Sequence, residues 1–148
     1  MGVDVLAEIR IDRPTDRVAA YAADPSNAPE WYANIESVEW KTPRPFRVGS
    51  RLAFTARFLG RRLSYTYEIA EHAQGKRLVM RSVEGPFPME TSYTFKPAAN
   101  GSTRMTLRNR GTPAGFSRMF APFMEAAMRR ANRKDLAALK TRLERQGS

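Results

Sequence analysis

Val3, Val5, Ala7, Ile9 and Ile11 alternate with Asp4, Leu6, Glu8, Arg10 and Asp12, the period-two pattern of a strand with one buried face. The chain therefore opens on a strand. Arg13-Pro14-Thr15-Asp16 then supplies a proline and an acid suited to a first helical turn, and Val18, Ala19, Tyr21 and Ala22 form an apolar stripe that stops near Asp24-Pro25. Asn27-Ala28-Pro29-Glu30 has the form of a capping box, which predicts a second short helix carrying Trp31 and Tyr32.

From Ile35 to about Arg110 strand-like runs are broken repeatedly by turn chemistry. Ile35 to Trp40 leads into a loop holding Pro43, Pro45 and Val48-Gly49-Ser50. Leu52, Phe54, Ala56 and Phe58 alternate up to Leu59-Gly60-Arg61, and Leu63, Tyr65, Tyr67 and Ile69 alternate after it, so the glycine marks a hairpin. Ala73-Gln74-Gly75-Lys76, Glu84-Gly85-Pro86 and Ala98-Ala99-Asn100-Gly101 are the later turns, the last carrying the Asn-Gly pair favoured in tight hairpins. The spacing predicts a meandering antiparallel sheet, seven strands counting the first.

The end changes period. Phe116, Met119, Phe120, Phe123, Met124, Ala127, Met128 and Ala131 fall on one helical stripe, continued by Leu136, Leu139 and Leu143, while Arg129, Arg130, Arg133, Lys134, Lys140 and Arg142 occupy much of the rest. Pro122 means that the helix either starts near Ala121 or bends there. Its stripe must be buried, and the large apolar surface on offer is one face of the sheet. The expected fold class is α+β: a curved seven-stranded antiparallel sheet wrapped around a long C-terminal helix, with two short helices after strand 1. No repeat, low-complexity tract or linker interrupts it, so residues 1–148 are expected to form a single domain.

Composition narrows the chemistry. The 148 residues include no cysteine and one histidine, His72, which argues against disulfides, thiolate nucleophiles, Ser-His-Asp triads and the common zinc and iron sites. No metal and no cofactor is expected. No apolar run reaches the roughly 20 residues that cross a bilayer, and the start lacks the basic and apolar regions of a signal peptide, so a cytoplasmic location is expected. The net charge of +10 is uneven: residues 1–103 carry 14 Lys/Arg against 12 Asp/Glu, and residues 104–148 carry 11 against 3. A basic helix face is read first as a solvated surface, and next as a contact for phosphate or anionic lipid.

Several segments have a recognisable wording: Ala7-Glu8-Ile9-Arg10-Ile11-Asp12-Arg13-Pro14, Ala23-Asp24-Pro25 followed by Pro29-Glu30-Trp31, Val48-Gly49-Ser50-Arg51, Tyr67-Glu68-Ile69, Gly85-Pro86-Phe87-Pro88 and Tyr93-Thr94-Phe95-Lys96-Pro97. Together with the element order they resemble the helix-grip fold of the SRPBCC superfamily, which includes START-type lipid-binding domains and pollen-allergen-like proteins, and within it the polyketide cyclase/dehydrase-like bacterial branch. The likeness spans the chain but consists of turns, caps and packing positions, so it speaks to fold more than to activity. It implies a deep cavity between sheet and last helix that holds an apolar or aromatic small molecule, with Trp31 near its mouth as a contact or gate.

Alternation points Phe54, Phe58, Tyr65, Tyr67, Met89, Tyr93, Met105 and Leu107 toward that cavity, and Phe116, Phe120, Phe123 and Met124 meet them from the helix. Met80 joins the expected ligand-binding set, as does Phe87, which the Gly85-Pro86-Phe87-Pro88 corner aims inward. The competing explanation for each position is ordinary core packing. Among polar residues, His72 beside a turn reads as exposed. Arg57 and Glu90 alternate outward, the facing of Arg81 is unsettled, and the inward tyrosines need hydrogen-bond partners. Trp40 reads as a cap on the core.

No catalytic residue is assigned, because no convergent set of acids and bases emerges. The favoured function is therefore binding of a lipid-like, polyketide-like or aromatic ligand. A cyclase or dehydratase that orients a polyketone with tyrosines, an arginine and water is the enzymatic alternative. Docking of the basic C-terminal helix to anionic membrane or nucleic acid is the third. Nucleic acid is disfavoured by the lack of an interleaved basic and aromatic recognition motif. Peripheral membrane contact and a homodimer stay open.

Overall fold

The computed structural model describes residues 3–58, 60–85, 88–111 and 121–146. Strand β1 (Val3–Ile11) buries Val3, Val5, Ala7 and Ile11 and exposes the intervening Asp4, Leu6, Glu8 and Arg10. Helix α1 (Thr15–Ala22) follows Pro14, has Asp16 in its first turn and buries Val18, Ala19 and Ala22. A 3-10 turn (Pro25–Asn27), capped by the Asp24 side chain on the Ser26 N–H at 3.0 Å, feeds directly into α2 (Ala28–Trp31). That turn overrides the expected capping box. Asn27 is already helical (φ −88°, ψ −8°) rather than extended as a capping residue needs to be. Its amide instead donates to the Tyr21 carbonyl at 3.1 Å, and the Glu30 carboxylate accepts from the Tyr21 hydroxyl.

Strands β2 (Ile35–Trp40), β3 (Arg51–Phe58), β4 (Arg61–Ala73), β5 (Arg77–Glu84), β6 (Met89–Ala98) and β7 (Ser102–Gly111) form the expected antiparallel meander, and β1 pairs with β7 to give the order β1-β7-β6-β5-β4-β3-β2. Register shifts between β2 and β3 and at two points between β4 and β5 mark bulges, which bend a sheet and increase its twist. At the β6–β7 turn, Asn100 and Gly101 take φ of 60° and 73°, the left-handed pair that an Asn-Gly hairpin uses. Trp40 ties β2 to the 3-10 turn by donating from Nε1 to Ser26 Oγ at 3.1 Å.

Helix α3 (Ala121–Arg145) lies on the concave face, with Pro122 in the first turn of this range, where a missing N–H costs little. Its buried positions are Met124, Met128, Asn132, Asp135, Leu136, Leu139 and Leu143. The expected stripe is corrected at one end: Phe123 is 75% exposed and faces away from the sheet. Position 123 stands one residue off the 124, 128, 132, 135, 139 row, about 100° around the helix, so its side chain shares the side that carries Arg130 and Lys134. Packing falls into two bodies. Leu136, Leu139 and Leu143 join Ile11, Trp31, Phe95, Met105 and Leu107 in the main core, whereas Met124 and Met128 meet Val3, Val5 and Met89 in a smaller one.

Strand β1 is an edge, and its outward backbone groups would otherwise be open to pairing with another chain. Side chains of α3 occupy them. Glu144 accepts from the Asp12 N–H at 2.8 Å, Glu125 from the Asp4 N–H at 3.3 Å, and Lys140 donates to the Arg10 carbonyl at 2.8 Å. Lys140 also reaches Glu144 at 2.7 Å, so these partners act together. On the convex face the arginines are matched to acids: Glu90 bridges Arg81 at 2.8 Å and Arg110 at 2.5 Å, and Asp4 holds Arg108 at 2.6 Å. This settles Arg81 as outward, beside the outward Glu90.

Replacing Glu144 by alanine removes both its bonds and frees an edge N–H. We expect Glu144→Ala to lower stability by about 1 kcal/mol, measured by urea unfolding, with an unchanged far-ultraviolet spectrum.

Candidate functional site

Between α3 and the sheet lies a cavity of about 160 Å³. Its sheet side is formed by Phe54, Ala56, Leu63, Tyr65, Tyr67, Leu78, Met80, Met89 and Tyr93, and its helix side by Met124, Met128 and Ala131. The tilt of the aromatics follows from strand alternation. Phe54 and Tyr65 are directly paired across β3 and β4, and Leu78 and Tyr93 across β5 and β6, so each pair projects to one face. Phe54 meets Tyr67 edge-on with centroids 5.6 Å apart, and Tyr65 lies 5.8 Å from Tyr67.

The expected ligand-binding residues divide as follows. Phe54, Tyr65, Tyr67, Met80, Met89, Tyr93 and Met124 line the cavity. Trp31 and Met105 do not, and here the expectation is corrected. The single turn of α2 drives Trp31 into the core, where it is 2% exposed and packs against Tyr32 (centroids 4.1 Å apart) and Tyr93 (5.8 Å). It supports two cavity tyrosines rather than guarding a mouth. Met105 points to the concave face as alternation requires, but the leucines of α3 fill that half of it. Leu107 belongs to the same packed core. Phe87, Phe116, Phe120 and the Phe58 side chain lie outside the described residues. His72 is half-buried against Phe46, with ring centroids 4.7 Å apart, rather than exposed. Arg57 is exposed and pairs with Glu36 at 2.7 Å, and it is also among the residues that line the cavity.

Two glycines fix the lining. A Cβ on Gly85 would fall 2.6 Å from the Tyr65 ring, and one on Gly111 would run into the Met89 sulfur and stand 2.7 Å from the Pro88 carbonyl oxygen. Only glycine lets these two wall residues sit where they do.

The polar part of the lining went unseen in the sequence. Thr91 donates to Asn109 Oδ1 at 2.6 Å, and Asn109 donates to Asn132 Oδ1 at 3.2 Å, a chain that runs from β6 through β7 to α3. The hydroxyls of Tyr32 and Tyr93 are bonded at 2.7 Å. Burial raises the pKa of Tyr32, Tyr67 and Tyr93 above the ordinary phenol value and brings Tyr65 up to about 12, so all four are neutral at physiological pH. Asp135, 3% exposed, stands one helical turn beyond Asn132 and faces the Tyr32–Tyr93 pair. Its Oδ1 accepts the Ala33 N–H at 3.0 Å, linking α3 to the turn before β2. Burial pushes its carboxyl up to about 6, against the opposing pull of that hydrogen bond and of the Lys134 charge.

Among the described residues no group of three or more His, Cys, Asp or Glu side chains is gathered as a metal site, and no helix is long and apolar enough to cross a membrane. The arrangement instead offers an apolar chamber with a carboxyl, amides and neutral phenols at one side.

Asp135 has a folded pKa of about 6 against an ordinary 3.8. Between those values the folded protein binds more protons than the unfolded chain, so this group's contribution to stability falls as pH rises through the window. Asp135→Asn should cancel that loss. In thermal melts, the variant's advantage over wild type is expected to grow from pH 4 to pH 7 and then level off; a difference independent of pH would contradict the assignment.

Residues 3–144 match the protein family described as polyketide cyclase / dehydrase and lipid transport. Among solved structures, the protein TTHA0849 from Thermus thermophilus superposes with a TM-score of 0.84 at 23% identity, covering 98% of this chain and 99% of that one. The Zhui aromatase/cyclase from Streptomyces sp. R1128 gives 0.83 at 16% identity over 99% and 96%, and a START superfamily protein from Mycobacterium smegmatis gives 0.83 at 14% over 97% and 99%. These likenesses establish the helix-grip fold. No curated protein matches the chain in sequence. With nearly its whole length matched, the chain belongs to the polyketide cyclase/dehydrase and lipid transport family, within the SRPBCC superfamily.

Proposed function

We propose that the protein binds a small hydrophobic or aromatic molecule in the cavity between the sheet and α3. The observation that carries this reading is the void itself: core side chains normally close such a space, and here Phe, Tyr and Met line it without filling it. An engineered apolar cavity of roughly 150 Å³ is enough to take up benzene. A volume of about 160 Å³ therefore suits one ring with short substituents better than a long acyl chain. Wall methionines adapt to an irregular outline.

The test is calorimetric titration with ethylbenzene. Binding is expected for the wild type, and Ala56→Trp, which fills the chamber from β3, should weaken it at least tenfold while the protein stays folded. Equal affinity in the two proteins would remove the cavity as the site.

A second reading, cyclisation or dehydration of a polyketone, draws on one observation: Asp135 brings a carboxyl with a pKa of about 6 to the cavity, within the range where an acid exchanges protons readily at neutral pH. In this reading Asp135→Asn lowers turnover of a linear polyketone thioester by on the order of 100-fold, and Tyr65→Phe, Tyr67→Phe and Tyr93→Phe lower it further. Product analysis showing the same rates in all four variants would end it.

A further inference from the structure

The lining is not uniformly apolar, and its polar atoms are not evenly spent. Asp135 and Asn132, both on α3 and both lining the cavity, are 3% and 5% exposed. Asp135 gives Oδ1 to the Ala33 N–H at 3.0 Å, which leaves Oδ2 as the carboxylate oxygen not used in that bond. Asn132 uses its Oδ1 on the Asn109 amide, whereas its Nδ2 is buried with no hydrogen-bond partner among the described residues. An unpartnered amide donor and a cavity-lining carboxylate thus stand three residues apart on one helix face, where side chains are neighbours at about 5–6 Å. Buried polar groups are normally satisfied, so an unpartnered amide beside a cavity-lining carboxylate points to a polar ligand group at this place.

The chemistry of that partner can be read from the pair. It must give a hydrogen to a carboxylate oxygen and receive one from an amide, and one hydroxyl group does both. It must carry an apolar body of about one ring for the remaining wall. It must not carry a negative charge, because a second carboxylate beside Asp135 would place like charges in a poorly solvated site. The Tyr32 and Tyr93 hydroxyls are bonded to each other at 2.7 Å, and among the described residues neither makes a hydrogen bond to Asp135 or Asn132.

We propose that the cavity selects small neutral phenols or aromatic alcohols, with Asp135 accepting from the ligand hydroxyl and Asn132 donating to it, and that it rejects fatty acids and aromatic carboxylates. This rests on the ligand-binding reading above and adds the ligand's class to it. Asp135 and Asn132 are then specificity-determining residues, and the aromatic and methionine wall supplies affinity without discrimination.

The experiment compares three probes of one shape, ethylbenzene, 4-ethylphenol and the 4-ethylbenzoate anion, by calorimetry at pH 7.5 on wild type, Asp135→Asn and Asn132→Leu. A hydrogen bond to a charged acceptor corresponds to about tenfold or more in affinity. Wild type should therefore bind 4-ethylphenol about tenfold more tightly than ethylbenzene, and 4-ethylbenzoate more weakly than either. Asp135→Asn should lose the preference for the phenol and admit the carboxylate, read as the ratio of the three affinities within each protein. Asn132→Leu should also lose the preference but continue to exclude the carboxylate. If ethylbenzene binds and Ala56→Trp blocks it, yet the three probes bind alike or Asp135→Asn leaves their order unchanged, this inference is overturned while the cavity reading stands. If ethylbenzene does not bind, the cavity reading falls and takes the inference with it.

Discussion

The fastening of α3 along the free edge of β1 is the constraint on which the other features depend. Glu144, Glu125 and Lys140 occupy backbone groups of Asp12, Asp4 and Arg10, so the helix axis is held to one side of a sheet seven strands wide. The leucines of its C-terminal half pack down onto β1, β6, β7 and the α1–α2 segment. Toward β3, β4 and β5 the cavity separates Phe54, Tyr65, Leu78 and Met80 from Met124, Met128 and Ala131 of the helix. The chamber lies beside strands whose register shifts mark bulges, which bend a sheet.

Within that chamber the electrostatics are set by burial. Tyrosines that would be ordinary phenols in water are held neutral, and an aspartate that reads as one more surface charge in a basic run becomes a carboxyl poised near neutrality. The wall thus combines donors that keep their protons with one acceptor whose charge responds to its surroundings. Outside, the same residue types behave differently: Glu90, Asp4 and Glu36 lie against arginines, which hold their carboxyls below the usual carboxylate value. Site and surface differ in solvation rather than in composition.

The strands were readable because side-chain alternation is a local property: Val3 to Ile11 and Leu52 to Phe54 bury the faces that their pattern indicates, and in β4 Tyr65 and Tyr67 line the cavity as theirs does. The inward tyrosines and Met89 followed from it, and Met124 from the helical stripe, whereas alternation left the facing around Met80 undecided. What could not be read is distance. Whether Met105 touches ligand or leucine depends on how far α3 sits from the sheet, and whether Trp31 gates or supports depends on a 3-10 turn that replaces a capping box. Asp135 was hidden by its neighbours, since Lys134 on one side and Leu136 on the other suggest a solvated charge beside a buried leucine. A signal was nevertheless present: Met124, Met128, Asn132, Asp135, Leu139 and Leu143 step by four, four, three, four and four residues, an inward row that carries two polar residues. Phe123 misled because apolar character outweighed its place off that row.

The division of the packing beneath α3 bears on the wall of the chamber. Three leucines and the main core hold the C-terminal half of the helix, whereas Met124 and Met128 rest on Val3, Val5 and Met89 in a separate small cluster of adaptable thioethers. Among the described residues the methionine end belongs to the smaller of the two packed bodies, so the chamber wall formed by Met89, Met124 and Met128 is made of the side chains best able to change shape around an irregular guest.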